Sequence, residues 1–399
     1  MSIFAGLAPL PPDAILGLTE EYNRDTRPGK ITLASGVYVD ESGITPVLDT
    51  VAEAEARILK AQTTKLYKPI AGDPAYLKPV RALIFGADSA AVAEGRVETV
   101  HTPGGTGALR VAADLLHRLR PNATVWLSTP TWPNHPQVFA AAGLATKSYP
   151  YLDAATGELD AEGMLAALAG AEPGDVVLLH ACCHNPTGID PTADVWARIG
   201  DVIAERGLLP LVDFAYQGFG DGLEEDAVGL RSLVRPGAEL LVASSFSKNF
   251  ALYDERVGAL SLVGATREET AVLLTHAKAV VRANYSNPPA HGGEVVATIL
   301  ADPALAARWV DEVTVMRGRI NGNRQAFVAA LAAAGAPDFS RLMRQRGMFS
   351  LLGLSADQVK RLKEEFAVYV VGGGRVNVAG LTKANTGPAC AAIAAVLKG

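Results

Sequence analysis

Residues Ser244 to Gly258 read SSFSKNFALYDERVG, a single lysine among hydroxyls and small residues with an arginine eight positions on. The stretch follows an apolar run, AELLVA, that reads as a buried strand. A lysine is costly to bury, and taken alone Lys248 is best read as a solvated loop residue. The chemical alternative is an amine that condenses with a carbonyl group to form a Schiff base. That use requires a lowered pKa and neighbours that hold an anion.

Candidate neighbours recur after other apolar runs. Gly104-Gly105-Thr106-Gly107 follows VETVHTP and opens a helical pattern. Glycine-rich turns at helix N-termini offer free N–H groups to a phosphate, although a plain tight turn explains such a sequence equally well. CHNPTG, after VVLLHA, holds Asn185 extended before a proline, with an amide that can donate to a phenolate oxygen. An Asn-Pro turn is its commoner use. VDFAYQ puts Asp213 at a strand end, where a carboxylate can pair with a protonated ring nitrogen, and Tyr216 three residues on. The plainer reading is a helix-capping Asp and a core Tyr. Trp132 in PTWPNH can stack on a flat ring or simply pack. His180, Cys182, Cys183 and His184 have no usual zinc spacing, so two strand-end cysteines packed as small apolar residues is the better reading.

The elements that must carry these residues are legible as short apolar strands, VETVHTP, ATVWLSTP, DVVLLHACC, LLPLVDFAY and ELLVASSF, alternating with helical patterns such as ALRVAADLLHRLR and TADVWARIGDVIAERG. Alternation of this kind predicts βαβ units and a mostly parallel sheet buried on both faces, and ligands bind at the carboxyl ends of such strands. The predicted fold is therefore α/β, a large domain with helices flanking the sheet. After about residue 311 long helical patterns rich in Arg and Glu are followed by the short strands MFSLLGL and GRVNVAG and a last helix, predicting a smaller α+β domain. The expected division is an N-terminal arm at 1–12, the small domain at 13–45 and 313–399, and the large domain at 46–312.

The chain has 399 residues, 49% apolar and 20% charged, with a formal net charge of -6. This is ordinary for a two-domain globular enzyme and speaks against nucleic acid or an anionic membrane as partner. Three cysteines make no disulfide framework and point to a reducing compartment, the cytoplasm. The N-terminus lacks a basic region and is interrupted by Pro9, Pro11 and Pro12, so it reads as neither signal peptide nor membrane span. Its apolar arm has the composition to cover a neighbouring subunit, with terminal disorder as the default.

Taken together, the residues after successive strands supply what a pyridoxal phosphate site needs: an aldehyde trap, a partner for the ring nitrogen, donors to the ring oxygen and a phosphate cup. GVYVDESGITPVL, TPGGTGALRVAADLL, TWPNH, HACCHNPTGIDPT, VDFAYQGFGDGLEEDA, SSFSKNFALYDERVGAL, RANYSNPPAHGGEVVATIL, GMFSLLGLS and GRVNVAGLT occur in this order. In this the chain resembles the fold type I (class I) pyridoxal phosphate aminotransferases, specifically the bacterial aspartate and aromatic amino acid (tyrosine) group, over nearly its whole length. The resemblance implies that Lys248 holds pyridoxal 5'-phosphate covalently as a Schiff base and acts as the base. It implies that Asp213 pairs with the ring nitrogen, that Asn185 and Tyr216 bond the ring oxygen, and that Trp132 stacks on the ring. Gly105, Thr106, Ser245 and Arg256 would hold the phosphate, and Tyr67 would reach that of a second subunit. Arg375 would clamp the substrate α-carboxylate, Gly36 would allow close backbone approach, and Arg282 would cross from the neighbouring subunit to a side-chain carboxylate. A homodimer with shared sites follows from these roles.

The same resemblance implies ping-pong transfer from aspartate, phenylalanine or tyrosine to 2-oxoglutarate. Its specificity signals are mixed: Val37, Thr45, Thr106 and Asn287 match the aspartate-selective pattern, Leu66 matches the aromatic one, and Ser35 and Val39 depart from the common residues. A strict aspartate aminotransferase is the nearest alternative. A lyase or decarboxylase on the same fold is disfavoured by the two arginine clamps. A non-catalytic ligand sensor lacks room for a DNA-binding module, and a nicotinamide dehydrogenase lacks the glycine fingerprint.

Overall fold

The structure, a computed structural model, describes residues 2–398. Its strands are β1 (Ile31–Thr32), β2 (Val97–Pro103), β3 (Thr124–Thr129), β4 (Ala145–Pro150), β5 (Val176–His180), β6 (Leu209–Phe214), β7 (Leu240–Ser245), β8 (Val257–Val263), β9 (Phe349–Leu351), β10 (Val368–Tyr369) and β11 (Arg375–Asn377). Seven of them form one sheet in the order β2-β8-β7-β6-β5-β3-β4. The five expected strands are present. β4 and β8 are additions to the sequence expectation, for different reasons. β4 is an edge strand, ATKSYP, largely exposed and too polar to read as an apolar run. β8 is fully buried but runs antiparallel to both β2 and β7, so no intervening helix announces it.

Helices cover both faces because each carries one apolar stripe. Gly104–Leu119 buries Ala108, Leu109, Val111, Ala112, Leu115 and Leu116, and its alanines let it lie close against the sheet. Ala193–Arg206 starts at Thr192, whose hydroxyl accepts from the Val195 N–H, and stops at Gly207 in the left-handed conformation. Arg267–Asn284 begins with a capping box between Thr266 and Glu269. The longest helix, Pro303–Ala333, opens on Asp302, whose side chain accepts from Ala304 and Leu305, and it runs unbroken through position 312. Its Trp309 stacks on Phe250 at 4.2 Å between ring centroids and donates to the Asn249 carbonyl at 2.8 Å. The turn containing Lys248 is thereby pinned to the long helix. An aromatic pair of this kind adds about 0.5–1.5 kcal/mol beyond its buried area.

Two small two-stranded sheets lie apart from the seven-stranded one, and the first of them joins both ends of the chain. β1 pairs in parallel with β10, and β9 pairs antiparallel with β11, which carries Arg375. Asn377 donates to the carbonyls of Ser35 and Val37 at 2.6 and 2.7 Å, tying the segment around Gly36 to the strand that carries Arg375. Among the described residues no helix is long and apolar enough to cross a membrane.

One backbone approach is critical. A Cβ on Gly258, in β8, would lie 2.4 Å from the Gly104 carbonyl carbon and 2.7 Å from the Ser244 oxygen. These are backbone atoms within a buried sheet and cannot swing aside. Gly258→Ala is expected to lower stability by about 3 kcal/mol, the upper range for overpacking, read as a shift of the chemical denaturation midpoint. A loss below about 1 kcal/mol would show that the strands give way there.

Candidate active site

The carboxyl ends of β5, β6 and β7 lie side by side because the three strands are parallel and in register, with His180 opposite Asp213 and Phe214 opposite Ser244. Above them is a cavity of about 400 Å³. Lys248, Asp213, Asn185, Tyr216, Trp132, Gly105, Thr106, Ser245, Arg256, Gly36 and Arg375 all line it. These are eleven of the thirteen residues singled out from the sequence. A larger groove of about 710 Å³, lined by Leu119, Ile203, Leu208, Leu240 and Leu273, sits at the opposite ends of the strands and has mostly aliphatic walls.

Lys248 follows β7 in a turn whose neighbours are buried. Its ammonium lies 4.9 Å from the centre of the Tyr216 ring. Burial lowers its pKa to about 8, with Asp213 opposing the shift and Arg256 adding to it. Asp213 ends β6 and its Oδ2 lies 3.1 Å from His135 Nε2. Burial works to raise the Asp213 carboxyl, but the His135 hydrogen bond and the charges of His135, His180 and Lys248 outweigh it and hold the pKa below the usual value. Asp213 therefore sits as an anion a short way from the lysine, and it is no helix cap.

His135 is fully buried and its Nδ1 lies 2.8 Å from Thr131 Oγ1, which is in turn 3.3 Å from His180 Nε2. The other histidine of the cysteine-rich stretch, His184, contacts Ser128 Oγ at 2.9 Å and Thr187 Oγ1 at 2.8 Å through its two nitrogens. Its ring is therefore engaged by hydroxyls. Cys182 and Cys183 are buried, and burial pushes both thiols up, Cys183 to about 12.

A second cation faces the cavity from β11. Arg375, almost wholly buried, donates to Asn185 Oδ1 at 3.2 Å and to the Ala34 carbonyl at 2.7 Å. Its guanidinium lies 4.2 Å from the Phe349 ring centre, and Nε has no partner among the described residues. Burial lowers its pKa to about 10, so it stays charged at neutral pH with donor capacity to spare. A Cβ on Gly36 would approach Phe349 Cζ to 3.1 Å, so only glycine leaves this wall undisturbed.

The third feature is an anion cradle. No described side chain caps the helix that starts at Gly104, so its first N–H groups face the cavity unclaimed by a cap. A Cβ on Gly105 would come within 3.0 Å of Ser245 Cβ, so glycine keeps this space open. Arg256 reaches Ser247 Oγ at 3.3 Å and the Tyr253 carbonyl at 2.9 Å. Hydroxyls, helix N–H groups and a guanidinium converging here fit a phosphate. An aromatic wall at Trp132, an anionic Asp213 and an amine of lowered pKa fit the rest of a pyridoxal ring. The donor set thus matches pyridoxal phosphate.

Tyr67 and Arg282 lie outside this cavity. Tyr67 is 91% exposed in an irregular segment beside the exposed Leu66. Arg282 is exposed in the last turn of its helix and donates to Ser286 Oγ. Conversely, Asp13, Ile15, Leu16, Asn134, Tyr253 and Phe349 line the cavity without having been singled out from the sequence. His135 had a signal, since it stands in the PTWPNH stretch. Ile15 and Leu16 had none, since they follow a proline-rich terminus that reads as an arm.

Comparison with known proteins agrees with this geometry. The family model described as aminotransferase class I and II matches residues 28–393. An aspartate aminotransferase of Salmonella typhi is 53% identical over 396 residues, 99% of this chain and all of that one. An aromatic-amino-acid aminotransferase of Pseudomonas aeruginosa is 50% identical, with 96% of each chain covered. The crystal structure of an aromatic-amino-acid aminotransferase from Burkholderia pseudomallei, covalently bound to pyridoxal phosphate, superimposes with a TM-score of 0.96 over the whole of both chains at 48% identity. A lysine of lowered pKa, a buried aspartate and an anion cradle at the ends of a parallel sheet therefore have their explanation in descent: the chain belongs to the class I and II aminotransferases.

Proposed function

We propose that this aminotransferase uses pyridoxal phosphate to move the amino group of both acidic and aromatic L-amino acids to 2-oxoglutarate. The observation that carries the reading is the cavity itself, where an amine of pKa about 8 faces a buried carboxylate, with a charged Arg375 on one side and the anion cradle on the other. When bound, pyridoxal phosphate supplies an aldehyde that takes up the amine and a ring that accepts the electron pair left when the α-proton departs.

In this reading Lys248 would hold the cofactor through Nζ and would serve as the base that takes the proton from the substrate Cα. Its lowered pKa keeps a usable fraction of free base near neutral pH. Asp213 keeps a proton on the ring nitrogen, because its carboxylate is anionic and His135 holds it in place. Asn185 and Tyr216 would bond the ring oxygen, and Trp132 would stack on the ring. Gly105, Thr106, Ser245 and Arg256 hold the phosphate. Arg375 binds the α-carboxylate as a planar fork, and its unpartnered Nε leaves a donor for it. Ile15 and Leu16, at the cavity rim, exclude water when ligand is bound.

Two further parts of the reading concern assembly. Tyr67 and Arg282 are exposed and lie outside their own cavity, which fits residues that serve a second copy. The apolar arm supports the same reading, with Ile3, Phe4, Leu7 and Leu10 each at least three-quarters exposed. The proposed assembly is a homodimer with shared sites. Residues 13–45 and 313–399 are read as one smaller domain that carries Gly36 and Arg375 against the larger one. A cytoplasmic setting suits the three free, buried cysteines.

Lys248→Ala is expected to lower transamination by at least about a thousandfold, the scale of a lost general base. Single-turnover mixing with an amino acid measures it, and a near-normal rate would remove Lys248 from the mechanism. Asp213→Asn should cost on the order of several kcal/mol of transition-state stabilisation while cofactor occupancy changes much less, since an amide cannot sustain a ring-nitrogen cation. A loss below about tenfold in single-turnover rate would count against that role.

Substrate range has its own test. Arg282 suits a second carboxylate, and a guanidinium left unpaired against a phenyl ring is costly. Val37, Val39 and Leu66 are the residues offered as apolar walls for that ring. Arg282→Ala should cut kcat/KM steeply for aspartate and mildly for phenylalanine. Leu66→Asn should do the reverse, by about 1–2 kcal/mol. If the wild type turns over phenylalanine and tyrosine thousands of times less efficiently than aspartate, the enzyme is a strict aspartate aminotransferase.

A further inference from the structure

We infer that Asp190 is a positioning residue for this cavity: its carboxylate clamps the turn after β5 so that Asn185 is presented to Arg375. The turn runs from Cys182 to Gly188 and carries no secondary structure of its own. Asp190 Oδ2 accepts from the Cys183 N–H at 2.6 Å and Oδ1 from the His184 N–H at 2.9 Å. Cys183 has φ of 52°, a left-handed conformation rare outside glycine. Two successive N–H groups aimed at one carboxylate form an anion-holding concavity, and here the anion belongs to the chain. Two residues beyond Cys183, Asn185 Oδ1 accepts from Arg375 at 3.2 Å.

The same turn is the seam between the two units. The Gly188 N–H donates to the His184 carbonyl at 2.7 Å, and the Gly188 carbonyl accepts from the Arg346 N–H at 2.7 Å. A Cβ on Gly188 would lie 2.8 Å from the Phe349 carbonyl oxygen. Loosening the clamp therefore shifts Asn185 and the strand that bears Arg375 together. Without the carboxylate, the left-handed Cys183 loses the contact that holds it.

Burial pushes the Asp190 carboxyl up to about 6; the two N–H groups and Arg346 oppose this and Asp226 adds to it. The charged and titratable groups around it come from several elements. Cys182, Cys183 and His184 belong to the turn itself, and Tyr151 feels its charge from the segment after β4. Arg346 is itself paired with Asp221 at 2.7 Å, and Arg324 acts on Cys183 from the long helix. Because the pKa is raised above its ordinary 3.8, the folded state takes up a proton as pH falls through 6. Protonation thus raises stability while removing charge from the clamp.

Those opposite signs separate positioning from a merely structural role. The inference uses the proposed function only for its ligand, the non-reacting dicarboxylate succinate. On the holoenzyme at pH 7.5, calorimetry should show Asp190→Asn binding succinate about five- to tenfold more weakly, the scale of one or two hydrogen bonds. The ratio of wild-type to variant affinity should fall toward one between pH 7.5 and 5.5, since titrations of succinate and of the rest of the site cancel in it. Over the same range the melting temperature of the wild type should rise relative to the variant. Affinities within twofold at pH 7.5, or a ratio independent of pH, would overturn the inference. Should Asp190→Asn not fold, Asp190→Glu displaces the charge without removing it. It should show the same loss at pH 7.5 with the pH dependence kept, and an unchanged affinity would overturn the inference. Amide exchange of residues 182–188 in protein without ligand is independent of the substrate reading. It should quicken about tenfold in the variant, and unchanged exchange rejects the clamp even if succinate proves a poor ligand and the proposed substrate range falls.

Discussion

The parallel register of β5, β6 and β7 is the constraint on which the cavity depends. It sets His180, Asp213 and Ser244 at neighbouring strand ends, and residues that follow those ends enter one space without any long loop to steer them. Backbone hydrogen bonds of a buried sheet are hard to slip, because a one-residue shift reverses which face every side chain meets. The antiparallel insertion of β8 adds to this. It returns the chain from Lys248 and Arg256 to the Gly104 turn, and at Gly258 the backbones come so close that no side chain fits.

Within that frame, desolvation does most of the chemical tuning. The same burial that lowers the Lys248 pKa to about 8 lowers that of Arg375 to about 10 and works to raise that of Asp213. The outcomes differ because the partners differ. Lys248 has only partial compensation from Asp213, so it is left close to the neutral range. Asp213 has His135 in hydrogen-bond contact, so it stays ionised. Arg375 starts so high that even a large penalty leaves it charged. One low-dielectric pocket therefore holds a group ready to exchange protons beside two fixed charges, a division that depends on geometry rather than on residue type alone.

The exposed features belong to another length scale. The arm residues Phe4 and Leu10, the Leu66-Tyr67 pair and Arg282 show solvent-facing apolar or cationic surface that a single copy does not use. Arg282 finds only a hydroxyl, Ser286, within its own chain. A cation held by a neutral partner is weakly tethered compared with one in an ion pair.

What the sequence alone determined was the alternation of elements and most of the polar residues that line the cavity. Strands buried on both faces read as apolar runs, so LLPLVDFAY and ELLVASSF announce themselves and place Asp213 and Lys248 at their ends. Edge strand β4 does not, because all its residues but Tyr149 are exposed and its pattern is that of a loop. The convergence of Lys248 and Arg375, 127 positions apart in the chain, was open in the sequence to resemblance alone. Only the tertiary structure decided that Ile15 and Leu16 join the cavity, that Trp309 props the turn of Lys248, and that Asp190 holds the turn of Asn185. Each of these is a contact between elements distant in the chain, made by residue types common enough that neither spacing nor composition marks them. Pattern reports which face of an element is apolar; which element that face meets is settled by packing.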